Sequence, residues 1–88
     1  MEINLTILNE EGMHARPAGI FAKKAGEFKS QIEIKFGDKV KNGKSIMSIM
    51  GMGLKKGSQI TLIAKGEDES QAIAALQELV NSQFQVEA

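Results

Sequence analysis

Hydrophobic and polar residues alternate along four short segments of the chain, a pattern typical of β-strands with one buried face. The alternating segments cover residues 2–8, 31–36, 39–41 and 59–64. A two-residue Gly37-Asp38 turn separates the second segment from the third, so these two strands should pair as a hairpin. The pattern therefore predicts four strands.

Three other segments have hydrophobic residues at helical spacing. The first runs from about residue 15 to residue 26 or 27, the second is short and follows Ser45, and the third begins at Asp68. Ser45 and Asp68 are both suitable N-cap residues, and Gln71, three residues after Asp68, would complete a capping box. The buried stripe of the third helix should consist of Ala72, Ile73, Leu76, Leu79, Val80 and Phe84.

The predicted order of elements is β-α-β-β-α-β-α, within one domain over residues 1–88. Four strands with one apolar face each need a cover, and only the two longer helices can supply it. We therefore expect an α/β fold of the α+β type. It should be an open-faced two-layer sandwich whose mostly antiparallel four-stranded sheet is covered on one face by helices.

Composition narrows the possible functions. The chain has no cysteine, which excludes disulfides and thiolate metal sites. Because it also has only one histidine, we expect no metal site. No apolar run is long enough for a signal peptide or a membrane span, so we expect a cytoplasmic protein without membrane insertion. All 11 Lys and Arg residues lie between Arg16 and Lys65, so this stretch could bind a negatively charged partner. Because the chain has four Phe and no Tyr or Trp on which bases could stack, we expect that partner to be an acidic protein surface rather than nucleic acid.

The only histidine, His14, lies where the strand pattern gives way to the helical one, three residues before Pro17. Because proline is tolerated only in the first turn of a helix, His14 should lie at or beside the N-cap. The N–H groups of Ala15 and Arg16 would then be free to bind an anion beside the imidazole, and the Arg16 guanidinium would add a fixed positive charge. The motif predicts a phosphoryl acceptor, although alone it is also compatible with an ordinary surface histidine.

The chain contains two further motifs, Gly-Met-His-Ala-Arg-Pro-Ala at 12–18 and Lys-Ser-Ile-Met at 44–47. With these motifs in the predicted order of elements, the chain resembles the histidine-containing phosphocarrier proteins (HPr). The resemblance covers the whole chain. It implies that His14 accepts a phosphoryl group on Nδ1 from phosphoenolpyruvate-charged Enzyme I and passes it to EIIA domains of sugar permeases, with Arg16 in the active centre. It also implies a carrier rather than an enzyme, no cofactor, and the strand order 1-4-2-3.

The resemblance further identifies Ser45 as a regulatory phosphorylation site. It implies an HPr kinase/phosphorylase and a catabolite-repression transcription regulator as additional partners. A helix N-cap suits a phosphate, because the following amides and the helix dipole favour negative charge. The sequence pattern alone requires no more than a capping serine at this position.

A carrier also needs a surface that several partners can recognise. The short helix contains more apolar residues than it can bury, and Arg16 shares one side of the first helix with residues 20 and 23. Ile49 should belong to the core, whereas Ile20 should be exposed. The predicted docking residues are Ile20, Lys23, Ile46, Met47 and Met50.

The main alternative is a regulatory relative of HPr that acts mainly through phospho-Ser45 in catabolite repression, although the presence of His14 argues against it. A carrier in a nitrogen-related phosphorelay and a small acylphosphatase-like hydrolase are further alternatives. We expect the chain to be a monomer.

Overall fold

The computed structural model describes residues 1–85 and contains seven elements in the predicted order. The strands are β1 (Glu2–Thr6), β2 (Gln31–Phe36), β3 (Lys39–Asn42) and β4 (Gln59–Lys65). The helices are α1 (Ala15–Ala25), α2 (Ile46–Met50) and α3 (Glu69–Asn81). Residues 86–88 of the predicted domain lie outside the described residues.

The four strands form one sheet in the order β1-β4-β2-β3, and every neighbouring pair is antiparallel. The registers bring apolar residues opposite one another, for example Leu5 opposite Ile60 and Ile34 opposite Leu62. This confirms the antiparallel sheet predicted from the pattern and the strand order implied by the family resemblance.

Inward-facing residues of β1, β2 and β4 pack with the apolar residues of the helices in one hydrophobic core. Burial alternates along β4, with Ile60, Leu62 and Ala64 buried between more exposed neighbours, as expected for a sheet covered on one face. Phe36, at the end of β2, is half-buried and packs against this core. The open-faced sandwich is confirmed.

Asp68 has a different role from the one that the capping pattern predicts. Its side chain makes no cap hydrogen bond to α3, so the predicted capping box is wrong. Instead, its carboxylate accepts hydrogen bonds from the N–H groups of Lys29 and Ser30, at 2.8 and 2.9 Å, and from the Ser30 hydroxyl. The Ser30 hydroxyl and these amides hold the pKa of the Asp68 carboxyl below its usual value. The carboxylate thereby ties the loop after α1 to the start of α3.

Candidate functional site

His14 is the N-cap of α1, as the sequence predicts. Its backbone is extended, with φ −74° and ψ −172°, and its carbonyl accepts the first helical hydrogen bond from Ala18 N–H at 2.9 Å. The side chain is exposed and does not cap the helix. Within residues 1–85 the N–H groups of Ala15 and Arg16 have no hydrogen-bond acceptor. An exposed imidazole therefore lies beside unpaired amides at the positive end of a helix.

The loop before His14 is held against the segment that precedes β4. Met13 N–H donates to the Leu54 carbonyl at 3.0 Å, and the buried Asn9 amide donates to the Gly12 carbonyl at 2.7 Å. Gly12 has φ +63°, and a Cβ at this position would lie 2.5 Å from the Leu54 oxygen. Only glycine fits here without displacing backbone, so the chain enters His14 along a tightly defined path.

The Arg16 guanidinium is held by two oxygen acceptors from different parts of the chain. Nη2 lies 2.9 Å from Glu11 Oε2, and Nη1 lies 3.5 Å from the Phe84 carbonyl oxygen. The hydrogen bond from Arg16 holds the pKa of the Glu11 carboxyl below its usual value. In the described part of the chain, Arg16 makes no hydrogen bond to His14. The guanidinium is therefore near the helix start but is engaged with other groups.

Ser45 is the N-cap of α2, as predicted, and its Oγ accepts a hydrogen bond from Ser48 N–H at 3.2 Å. The neighbouring Lys44 is engaged elsewhere, because its Nζ donates to the Phe28 carbonyl at 2.8 Å. Ser45 is half-buried and directly precedes the exposed residues of α2. A phosphate on Ser45 would thus lie at the edge of that apolar surface.

Exposed apolar side chains dominate α2. The exposed fraction is 79% for Met47, 44% for Ile46 and 41% for Met50, whereas Ile49 is fully buried, as predicted. A Cβ on Gly19 would lie 4.0 Å from Ile46 Cδ1, which shows that α1 and α2 approach each other at these residues. The two helices therefore present adjoining surfaces.

The α1 side of this surface departs from the prediction at one residue. Lys23 is exposed, but Ile20, which the helical spacing placed on the exposed side, is half-buried and packs against the core. Its side chain nevertheless lines an open groove between α1 and α3. We use the name docking surface for Ile20, Lys23, Ile46, Met47 and Met50.

Three features of the site have no clear signal in the sequence. Glu11, the Leu54 carbonyl and the Phe84 carbonyl all contact the segment around His14, yet they come from a polar loop, an irregular segment and the residues after α3. Only the acidic residue shortly before Arg16 offers a hint, and nearness in sequence does not by itself predict an ion pair.

Other site types find little support in the part of the chain that the structure describes. No cluster of three or more His, Asp or Glu side chains within residues 1–85 could hold a metal ion. Among the same residues, no helix combines the length and the apolar character that crossing a bilayer requires. The arrangement at His14 instead suits an anionic group bound covalently to the imidazole and flanked by amides.

Comparison with known proteins gives a consistent result. The family model described as "PTS HPr component phosphorylation site" matches residues 1–82. A phosphocarrier protein HPr from Lysinibacillus sphaericus is 48% identical over 75 residues, covering 85% of both chains. The first description names a phosphorylation site of HPr and the second a phosphocarrier protein, which confirms the predicted role as a carrier rather than an enzyme.

Solved structures agree in fold. An HPr structure from Thermoanaerobacter tengcongensis has a TM-score of 0.94 at 43% identity, with 100% of this chain and 99% of that chain covered. The catabolite repression protein Crh of Bacillus subtilis, described as a swapped dimer, has a TM-score of 0.77 at 34% identity over 93% of this chain and 94% of its own. By motif, fold and sequence, the chain belongs to the HPr family of phosphocarrier proteins.

Proposed function

We propose that His14 is the residue that carries the phosphoryl group, accepting it from phosphoenolpyruvate-charged Enzyme I and donating it to EIIA domains of sugar permeases. The observation that carries this proposal is the exposed imidazole at the N-cap of α1, next to the Ala15 and Arg16 amides, which have no acceptor among residues 1–85. These amides suit the oxygens of a phosphoryl group on the ring, because the start of a helix favours negative charge.

The transfer step needs no cofactor. The lone pair of an unprotonated ring nitrogen of His14 attacks phosphorus, the bond from phosphorus to the donor atom breaks, and its electron pair stays with the donor. Donation to the next partner reverses these roles. The Ala15 and Arg16 amides and the Arg16 guanidinium would stabilise the negative charge on the transferring oxygens.

Partner binding is assigned to the docking surface. Its methionines are flexible and polarisable, which suits a surface that must fit several partners in turn. Lys23 is exposed beside the apolar residues and would attract an acidic partner, affecting the rate of association more than the affinity. A small, partly polar interface of this kind is consistent with rapid release.

We also propose that phosphorylation of Ser45 regulates the carrier. Ser45 is the N-cap of α2 and adjoins Ile46 and Met47. A phosphate at this position would add up to two negative charges beside an apolar surface and oppose an acidic partner. The enzyme that phosphorylates Ser45 would be an HPr kinase/phosphorylase. We further propose that residues 1–88 form a single domain and that the protein is located in the cytoplasm.

One labelling experiment tests the carrier proposal. The protein is incubated with phosphoenolpyruvate and Enzyme I, and we expect an acid-labile, alkali-stable phosphate on the wild type and on Ser45→Ala. The variant His14→Ala should remain unlabelled. Labelling of His14→Ala, or no labelling of the wild type by active Enzyme I, would refute the proposal.

A role in catabolite repression is the second candidate, because Crh, described as a catabolite repression protein, shares this fold at 34% identity. Its partner would be a transcription regulator that recognises phospho-Ser45 and the docking surface. If the chain acts mainly in this way, ATP and the kinase should label Ser45 while Enzyme I leaves His14 unlabelled.

We propose a monomer, although dimers are described for Crh and for the Thermoanaerobacter tengcongensis HPr, and sedimentation equilibrium distinguishes the two states.

A further inference from the structure

We propose that Glu11 competes with the phosphoryl group on His14 for the Arg16 guanidinium, and thereby raises the tendency of phospho-His14 to give up its phosphoryl group. The inference rests on the proposed function, since it requires that His14 be phosphorylated. Glu11 is a positioning residue in this scheme, because it acts through Arg16 and does not touch the reacting atoms.

The geometry shows that Arg16 is already engaged before any phosphoryl group arrives. Its Nη2 donates to Glu11 Oε2 at 2.9 Å, and its Nη1 lies 3.5 Å from the Phe84 carbonyl oxygen. The side chains of Arg16 and Glu11 remain 58% and 45% exposed, so water can replace either contact. An exposed ion pair of this kind is weak enough to exchange partners.

Charge determines the direction of the effect. A phosphoryl group carries about 1.5 to 2 negative charges near neutral pH. If Arg16 turns to the phosphoryl group, its contact with Glu11 is lost. If Arg16 stays, the Glu11 carboxylate cancels part of the guanidinium charge close to the phosphoryl oxygens. In both cases Glu11 makes the phosphorylated state less favourable than it would be with a neutral side chain.

The carboxylate is in the charged form that the argument requires. Because Arg16 donates a hydrogen bond to it, the pKa of the Glu11 carboxyl is lowered from an already acidic value, and the group is ionised at neutral pH. Glutamine at this position would keep the size and a hydrogen-bond acceptor while removing the charge.

The same loop offers a matched control. Glu10 is adjacent to Glu11 and also forms an exposed ion pair, but its partner is Lys56 Nζ at 2.6 Å rather than Arg16. Glu10→Gln therefore makes the same change in net charge on the same loop without touching the guanidinium. A difference between the two variants therefore reports on where the lost charge was placed, beside Arg16 or beside Lys56.

The experiment compares the two states of His14 at equilibrium. Phosphorylated wild type labelled with ¹⁵N is mixed with an equal amount of unlabelled Glu11→Gln and a catalytic amount of Enzyme I. The phosphorylated fraction of each protein is then measured by intact-protein mass spectrometry under neutral conditions. Because Enzyme I only equilibrates the pair, altered docking does not change the final ratio. We expect the equilibrium constant to favour phospho-Glu11→Gln about two- to five-fold, as for loss of an exposed charge interaction, and to lie near one for Glu10→Gln.

Salt separates an electrostatic role from a structural one. Raising the ionic strength from about 0.1 M to about 1 M shortens the screening length from about 10 Å to about 3 Å, so the preference for phospho-Glu11→Gln should fall towards one. A ratio at or below one, a ratio equal to that of Glu10→Gln, or a preference that salt leaves unchanged would overturn the inference. If His14 takes up no phosphoryl group in any of these proteins, the proposed function fails and this inference fails with it, which is a different result from normal labelling with a ratio of one.

Discussion

Replacing Gly12 by alanine tests how far the site depends on the path of the loop before His14. Gly12 has φ +63°, and an added Cβ would lie 2.5 Å from the Leu54 oxygen and 2.6 Å from Lys55 Cα. Both neighbours are backbone atoms, so they cannot move aside as a flexible side chain would. The substitution should therefore separate the two segments whose contact includes the Met13 to Leu54 hydrogen bond.

The expected loss of stability has two parts. A left-handed backbone costs a residue with a Cβ about 1–2 kcal/mol, and displacing packed atoms adds about 1–3 kcal/mol. The free energy of unfolding should thus fall by about 2–5 kcal/mol, a large share of the roughly 5–15 kcal/mol available to a small domain. Because about 1 kcal/mol shifts the Tm of such a domain by about 4–8 °C, the Tm should fall by about 10 °C or more.

Gly37→Ala is the control, because Gly37 has φ +64° but, apart from its chain neighbours, no atom of residues 1–85 lies within 4 Å of the added Cβ. It should show only the backbone part of the loss. Urea unfolding followed by circular dichroism measures both variants, and phosphoryl uptake below the transition should be slower for Gly12→Ala alone. Equal unfolding midpoints for the two variants would show that the overlap with Leu54 and Lys55 has no energetic weight, and would refute the reasoning.

Three further predictions follow from burial and charge. Met47→Ala should change the free energy of unfolding by less than about 0.5 kcal/mol while weakening binding to Enzyme I, whereas Ile49→Ala should lower the free energy of unfolding by about 2–5 kcal/mol. Urea unfolding measures the first quantity, and titration with Enzyme I measures the second. Asp68→Asn should lower the free energy of unfolding at pH 7, because the depressed folded pKa of Asp68 makes its contribution present above the unfolded pKa near 3.9 and lost as pH falls through the folded value. If wild type and variant differ in unfolding free energy by the same amount at pH 3 and pH 7, the assignment is contradicted. Ser45→Asp should slow transfer from Enzyme I in rapid-quench experiments, and equal rates would argue against regulation at Ser45.

The sequence predicts this fold well where one physical requirement dominates. Alternation in residues 59–64 predicts β4 because one face of the strand is buried, and Pro17 places the helix start beside His14 because proline lacks an N–H. The strand order is different, since alternation shows only which residues face inward. That order came from the family resemblance.

Predictions were wrong or incomplete where side chains could choose among several partners. Asp68 has the right type and position for an N-cap, but the amides of the α1–β2 loop bind its carboxylate instead. Arg16 likewise pairs with Glu11 and the Phe84 carbonyl. Such choices depend on how distant segments pack, and the hydrophobic period along a strand or helix contains no information about them.

The contacts that define the His14 segment also bear on when it can form during folding. Met13 binds Leu54, Arg16 reaches Phe84 at a separation of 68 residues, and β1 pairs with β4. The entropy of closing such long loops must be paid before these contacts form, which slows folding relative to proteins with local contacts. We expect a growing chain to gain the geometry around its histidine only after β4 has been synthesised and has paired with β1. Phosphoryl uptake would then select completed molecules over nascent or partly unfolded ones.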